Sequence, residues 1–193
     1  DGWIQLFDGR TLFGWKSNNT TINWHINDDH DIEASEGEPG LLLTSVPFAD
    51  YEFQCEYWID KGTNSGVFLR SAEKPKDPAV DCYELNMWDA APEFKTASFV
   101  KRVKPMKEVT GEQVWKTLHV SVNGNRFIAK FDGEEVLDFT DDSANFVRNG
   151  YIGLQKNSGL VKFRKVALKP LGTQSLFNGQ DLKGWHVVDG SKC

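Results

Sequence analysis

Apolar and polar residues alternate along much of the chain with a period of two, and the alternation stops every few residues at Gly, Asn, Asp or Pro. Tyr51–Asp60 is the longest such run. Tyr51, Phe53, Cys55, Tyr57 and Ile59 fall on one side of it, and Glu52, Gln54, Glu56, Trp58 and Asp60 on the other. Because alternate residues of a strand share a face, the run predicts a strand with one face in a core and one in water. Shorter strand-like runs are Trp24–Ile26, Leu41–Thr44, Val67–Arg70, Tyr83–Trp88, Trp115–Val122, Arg126–Phe131, Glu135–Phe139, Tyr151–Gln155 and Val161–Leu168. Turn signals separate them, notably at Asn123-Gly124-Asn125, Asp132-Gly133, Asn149-Gly150 and Asn157-Ser158-Gly159. No stretch holds a helical period over three turns. The pattern predicts an all-β fold, a two-sheet antiparallel β-sandwich or jelly roll.

Two stretches carry an unusual polar side. In Asn64–Arg70 the alternation puts Asn64, Gly66, Phe68 and Arg70 on one face; in Cys82–Asp89 it puts Cys82, Glu84, Asn86 and Trp88 on one face. If the two strands are neighbours, that face holds an arginine, a carboxylate, amides and an indole, a patch of the size and chemistry that suits a sugar. Arg70 and Glu84 admit two readings, a reactive pair or a plain cross-strand ion pair worth roughly 0.2–1 kcal/mol. Asp89 and Glu56 either join the patch or are solvated. The irregular segments Ser71–Asp81 and Ala90–Glu112 flank the two strands, and loops of that length in a compact domain are commonly functional or disordered. Lys104 and Lys107 in the second loop either reach the mouth of such a site or are plain solvated lysines.

The segment Leu6–Lys16, LFDGRTLFGWK, returns at Leu176–His186 as LFNGQDLKGWH, with Leu, Phe, Gly, Leu, Gly and Trp in register. Recurrence at a fixed offset marks an internal repeat. Residues 1–172 are therefore read as the jelly-roll domain, and 173–193 as a tail resembling the start of a second copy, so that a second like domain is expected in the native chain.

Composition narrows the partners. A net charge of -6 and a pI near 5.2, with no basic cluster, argue against nucleic acid. No apolar run approaches the roughly 18 residues of a membrane-crossing helix. Cys55, Cys82 and Cys193 lack metal-ligand spacing, and whether Cys55 and Cys82 are bridged is left open. Asp28-Asp29-His30-Asp31 is either a cation site or a solvated loop. No metal-binding motif and no cofactor motif is evident, while a divalent metal stays open. The chain opens at Asp1 without Met, as a processed or trimmed chain would.

The order of LFDGRTLFGWK, NSGVFLR, CYELNMWD, VWKTLHVSVNG and GYIGLQKNSGLVKFRKVALKPL resembles the 3-keto-disaccharide (3-keto-glycoside) hydrolase family over about Leu6–Leu171. The resemblance implies a concanavalin-A-like jelly roll with a concave face bearing Arg70 and Glu84. The chain departs from the family pattern at Asn86, where Gln is usual, and at Trp115-Lys116, where Trp-Asn is usual. The activity implied is cleavage of a 3-keto-glycoside, a small-molecule or oligosaccharide substrate. The C3 ketone acidifies the C2 hydrogen, a base removes it, the C1 substituent leaves and water adds. In that reading Glu84 and Arg70 are catalytic, Glu84 as base and Arg70 at the ketone oxygen, and Asn64, Asn86, Trp88, Asp89 and Trp58 bind substrate. The alternative is a non-catalytic, lectin-like carbohydrate-binding module of a larger extracytoplasmic protein. A periplasmic or secreted location is expected from the resemblance alone.

Overall fold

The alternation in Tyr51–Ile59 becomes the central strand of the molecule, its odd-numbered residues buried and its even-numbered residues half-exposed. The computed structural model describes residues 2–186, so Cys193 lies outside the described residues. Thirteen strands follow one another among these: β1 (Ile4–Gln5), β2 (Trp15–Ser17), β3 (His25–Ile26), β4 (Ile32–Ala34), β5 (Gly40–Thr44), β6 (Tyr51–Ile59), β7 (Asn64–Ser71), β8 (Tyr83–Met87), β9 (Lys116–Asn123), β10 (Arg126–Phe131), β11 (Glu134–Thr140), β12 (Tyr151–Ser158) and β13 (Val161–Pro170). They form two antiparallel sheets. One has eight strands in the order β11-β10-β9-β6-β13-β4-β3, with β1 also on β13; the other has five, β2-β5-β12-β7-β8. The sandwich expected from the periodicity is the fold observed.

The core fills the space between the sheets with Phe53, Tyr57, Leu118, Phe127 and Phe163 from the larger and Leu42, Val67, Leu85 and Leu154 from the smaller. Residues alternate with these on the five-stranded sheet, and Leu41, Leu43, Phe68 and Cys82 make a second cluster on its outer face. Both Cys55 and Cys82 are free thiols, one inside the sandwich and one in that outer cluster, so no bridge joins them.

The alternation in β7 fails at its end. Opposite β12, Ser71 pairs with Tyr151 and Phe68 with Gly153, so Leu69 and Arg70 together face Ile152 in a β-bulge. Arg70 sits at a φ of 49°, in the left-handed region that a residue with a Cβ rarely enters. Gly150 makes room for the bulge: a Cβ there would come within 2.3 Å of the Arg70 carbonyl carbon. The turn sends the Arg70 side chain away from the Glu84 face, and it is 1 % exposed. Its Nε donates to the Ala49 carbonyl at 2.8 Å, its Nη1 to the carbonyls of Gly124 at 2.7 Å and Val147 at 2.9 Å, and its Nη2 to the Asp50 carboxylate at 2.8 Å. The guanidinium also lies 5.4 Å from the centre of the core Phe127 ring. The expectation that Arg70 shares a face with Glu84 is therefore corrected. The arginine is a tie for the end of the sandwich, and its ion-pair partner is Asp50.

The opening segment and its repeat adopt one local geometry. The Asp8 carboxylate accepts from the backbone of Arg10 and Thr11 at 2.8 and 2.7 Å, and the Asn178 amide oxygen from Gln180 and Asp181 at 2.8 and 3.0 Å. Trp15 N–H donates to the Leu12 carbonyl at 3.0 Å, Trp185 N–H to Leu182 at 2.9 Å. Their surroundings differ: Phe7 and Trp15 are buried, whereas Phe177 and Trp185 are about half exposed.

Arg70→Ala leaves three carbonyls without their donor in a closed site, so it is expected to cost about 3 kcal/mol or more of stability, read from urea unfolding. A loss of less than 1 kcal/mol would contradict the role of a buried tie.

Candidate functional site

The outer face of the five-stranded sheet carries the chemistry. β7 and β8 are neighbours, with Gly66 opposite Asn86 and Phe68 opposite Glu84; on the other side of β7, Gly66 faces Gln155 of β12. Three strands thus present Gln155, Gly66 and Asn86 in one row, with Glu84 one step diagonal to it. Gly66 is the low point of this row. A Cβ there would meet the Leu85 carbonyl oxygen at 2.9 Å and Gln155 Oε1 at 3.4 Å, so the absent side chain lets the Gln155 amide cross β7. It reaches Glu84, donating from Nε2 to Oε1 at 3.2 Å.

Two pockets meet at this bridge. One, of about 400 Å³, has Gln155, Phe68 and Leu41 in its wall, with Asn18, Lys74 and Lys76 around it. The other, of about 290 Å³, is lined by Glu84, Asn64, Asn86 and Trp88, with Phe94 and Lys101 from the long loop also in its wall. Glu84 is 8 % exposed, and burial pushes its carboxyl up to about 7; the Gln155 hydrogen bond, which favours the ionised form, offsets this only in part. The other oxygen-bearing end of Gln155, Oε1, is buried without a partner. A buried acceptor without a donor is costly.

The loop is held over the site by two side chains expected to bind substrate. The Asn86 amide nitrogen donates to the Phe94 carbonyl, and its oxygen accepts from Met87 N–H at 3.1 Å. The Asp89 carboxylate accepts from Thr96 Oγ1 at 2.5 Å, Gly111 N–H at 2.8 Å and Glu112 N–H at 3.1 Å. Both sets of polar atoms are engaged within the protein. The predicted set therefore divides: Glu84, Asn64, Asn86 and Trp88 surround one pocket, Asp89 anchors the loop behind it, and Arg70 is at the sandwich end. Trp58 lies on the outward side of β6, in the other sheet. Gln155 was not among the expected site residues. The available signal was in GYIGLQ, where Tyr151, Gly153 and Gln155 alternate with the core residues Ile152 and Leu154. Among the described residues, no three His, Cys, Asp or Glu side chains converge as metal ligands.

The model of the 3-keto-alpha-glucoside-1,2-lyase-like domain matches residues 2–169. The chain belongs to that family. A 3-keto-disaccharide hydrolase of Bacteroides thetaiotaomicron is 33 % identical over 90 residues, which cover 40 % of this chain and 31 % of the relative. The match thus spans about a third of that relative's length. Among solved structures, a Parabacteroides distasonis protein provisionally named a glycosyl hydrolase superposes with a TM-score of 0.76 at 20 % identity, over 88 % of this chain and 94 % of its own. The carbohydrate-binding module CBM66 of Bacillus subtilis does so with a TM-score of 0.59 at 19 % identity, over 81 % and 95 %. At these identities the two structures speak for the fold.

The Glu84 carboxyl titrates at about 7 in the folded chain against 4.5 when unperturbed, so the folded state holds its proton more tightly than the unfolded state does. The stability this adds is complete below about pH 4.5 and is lost as pH rises through 7, a change of up to about 3 kcal/mol. Glu84→Gln removes the titration. In urea unfolding its stability relative to the parent is expected to rise by that amount between pH 4.5 and pH 8.5. A difference that does not change with pH would contradict the raised ionisation.

Proposed function

We propose that the chain cleaves 3-keto-glycosides, with Glu84 as the proton-transfer group. The observation that carries the reading is a single buried carboxyl, ionising near neutrality, at the junction of two sugar-sized pockets. A group of that acidity is poised both to take a proton and to return one. The family membership supports a 3-keto sugar as the substrate, and a sugar that already carries its ketone requires no nicotinamide.

The Glu84 carboxylate takes the C2 proton, and the C2–H electrons form the C2=C3 enolate with its charge on the C3 oxygen. The enolate then re-forms the C3 ketone as the C1=C2 bond forms and the C1–O bond breaks. The departing oxygen takes a proton from the Glu84 carboxyl or from water. Water adds to C1 and a proton returns to C2, which makes the sum a hydrolysis; release before addition makes it a lyase reaction. The enolate oxygen needs a donor, and since Arg70 is turned away, the group that would serve is the Asn64 amide, with Lys101, whose Nζ is paired with Asp77 at 3.1 Å, also on the pocket wall. The unpartnered Gln155 Oε1 is positioned to accept from a sugar hydroxyl while its Nε2 orients Glu84. Trp88 offers a flat apolar surface to the ring. The two pockets would take the sugars on either side of the scissile bond.

Incubation with 3-keto-trehalose, 3-keto-sucrose and 3-keto-lactose is expected to release 3-keto-glucose from at least one of them. The rate should rise with pH through about 7 as Glu84 ionises, and Glu84→Gln should lower kcat/KM by roughly 10²–10⁴. Sugar binding with no product, or turnover of Glu84→Gln at the parent rate, would return the chain to the non-catalytic binding reading. Gly66→Ala should displace the Gln155 amide and lower kcat by about tenfold or more in the same assay, with the unfolding transition still cooperative.

A further inference from the structure

A third pocket, of about 380 Å³, lies on the outward face of the eight-stranded sheet, across the whole sandwich from Glu84. It is lined by Asp29, Asp31, Trp58, Trp115, Lys162 and Arg164. The register explains the grouping. Lys162 of β13 stands between Glu33 of β4 and Trp58 of β6, and Arg164 stands beside Glu56 of β6. Asp29 and Asp31 come from the turn before β4, and Trp115 precedes β9, the neighbour of β6 on its far side.

The cations are fixed. The Arg164 guanidinium stacks 3.9 Å from the centre of the Trp115 ring and donates from Nε to Glu56 at 2.7 Å. Lys162 Nζ lies 5.6 Å from the Trp58 ring centre and 3.4 Å from Glu33. Asp31 is 2 % exposed, so its carboxyl is one of the most enclosed acidic groups of the chain. It senses Arg164 and Lys162 as nearby charges and Asn27 as its hydrogen-bonding neighbour, yet the close bond of the Asn27 amide, 2.9 Å, goes to Glu33. Acceptor capacity is thus held in a pocket whose rim offers donors, between two indoles. Arg164 and Lys162 are already paired with Glu56 and Glu33, so Asp29 and Asp31 add acceptors beside the remaining N–H donors and disfavour an anionic ligand. Hydroxyl pairs fit this chemistry: a carboxylate accepts from two adjacent O–H groups, while guanidinium and ammonium donate to their oxygens.

We propose that this pocket is a second carbohydrate site, which takes a neutral pyranose through Asp31, Lys162 and Arg164 with its C–H face against Trp58. It is separate from the Glu84 pocket and independent of whether that pocket cleaves its ligand.

The test is a titration of the full chain with methyl α-glucopyranoside, methyl β-galactopyranoside and methyl α-mannopyranoside, followed through the indole N–H resonances of the seven tryptophans. At least one of the three is expected to shift the Trp58 and Trp115 signals in a saturable way. Trp58→Ala or Asp31→Asn should weaken that binding tenfold or more, while Glu84→Gln leaves it unchanged. Neither Trp58→Ala nor Asp31→Asn should alter turnover of a soluble 3-keto-disaccharide if one is cleaved. No saturable shift of Trp58 or Trp115 with any of the three probes would overturn the proposal, as would loss of the shift in Glu84→Gln. Failure of cleavage with the indole shifts intact would strike the Glu84 reading alone.

Discussion

A guanidinium shut away from water must find acceptors inside the protein for its donors, and Arg70 finds four. Those acceptors belong to the approach to β6, the β9–β10 turn and the approach to β12, three places distant in sequence that meet at one end of the sandwich. The arginine reaches them only because β7 bulges at its last residues, and the bulge in turn depends on Gly150 lying flat against it. The same event shapes the site. With its one cation turned inward, β7 ends its outward row at Phe68 and leaves Glu84 facing amide, indole and hydrocarbon. Burial, offset only in part by the Gln155 hydrogen bond, is what leaves Glu84 ionising near neutrality. The residue that steadies the scaffold influences the site by its absence from it.

The long loop shows a similar division of labour between holding and reacting. Asn86 and Asp89 flank Trp88 and fasten Phe94, Thr96, Gly111 and Glu112 with short side chains that reach only backbone and hydroxyl neighbours. A loop tied in this way stays beside the Glu84 pocket without needing much apolar area of its own. The Gln155 oxygen is one of five buried side-chain polar atoms without a partner among the described residues, and of the five it is the one whose side chain also bonds Glu84.

Strand positions were legible in the sequence where strand-like runs stood between turn signals, down to the three-residue run Trp24–Ile26 that holds β3. All ten expected runs are strands, whereas β1, β2 and β4, of two or three residues, hold too little pattern to read. The pairing of NSGVFLR with CYELNMWD was legible too, since both show the same polar side and neighbouring loops. Arg70 was not, because alternation assumes one φ region and a left-handed residue other than Gly leaves no mark in composition. Asn86 and Asp89 were placed correctly on the strand end, but binding a hydroxyl and binding a backbone group use the same atoms. Gln155 was hidden by its place in the run: Tyr151–Gln155 was read as a strand, and the face that Tyr151, Gly153 and Gln155 share was not followed outward. Trp58 was read as lying on a wet face, and only the order of strands in space decides which sheet that face belongs to.

The turn shared by Asp8–Trp15 and Asn178–Trp185 closes through its own backbone and side chains whether its aromatics are covered or bare. Shape and cover are thus separable in this segment. At the amino end the Leu6 backbone must find Val166, some 160 residues away, and the Trp15 indole must find the Leu6 carbonyl. A clip already formed presents both at once, so little ordering entropy is left for the moment of docking.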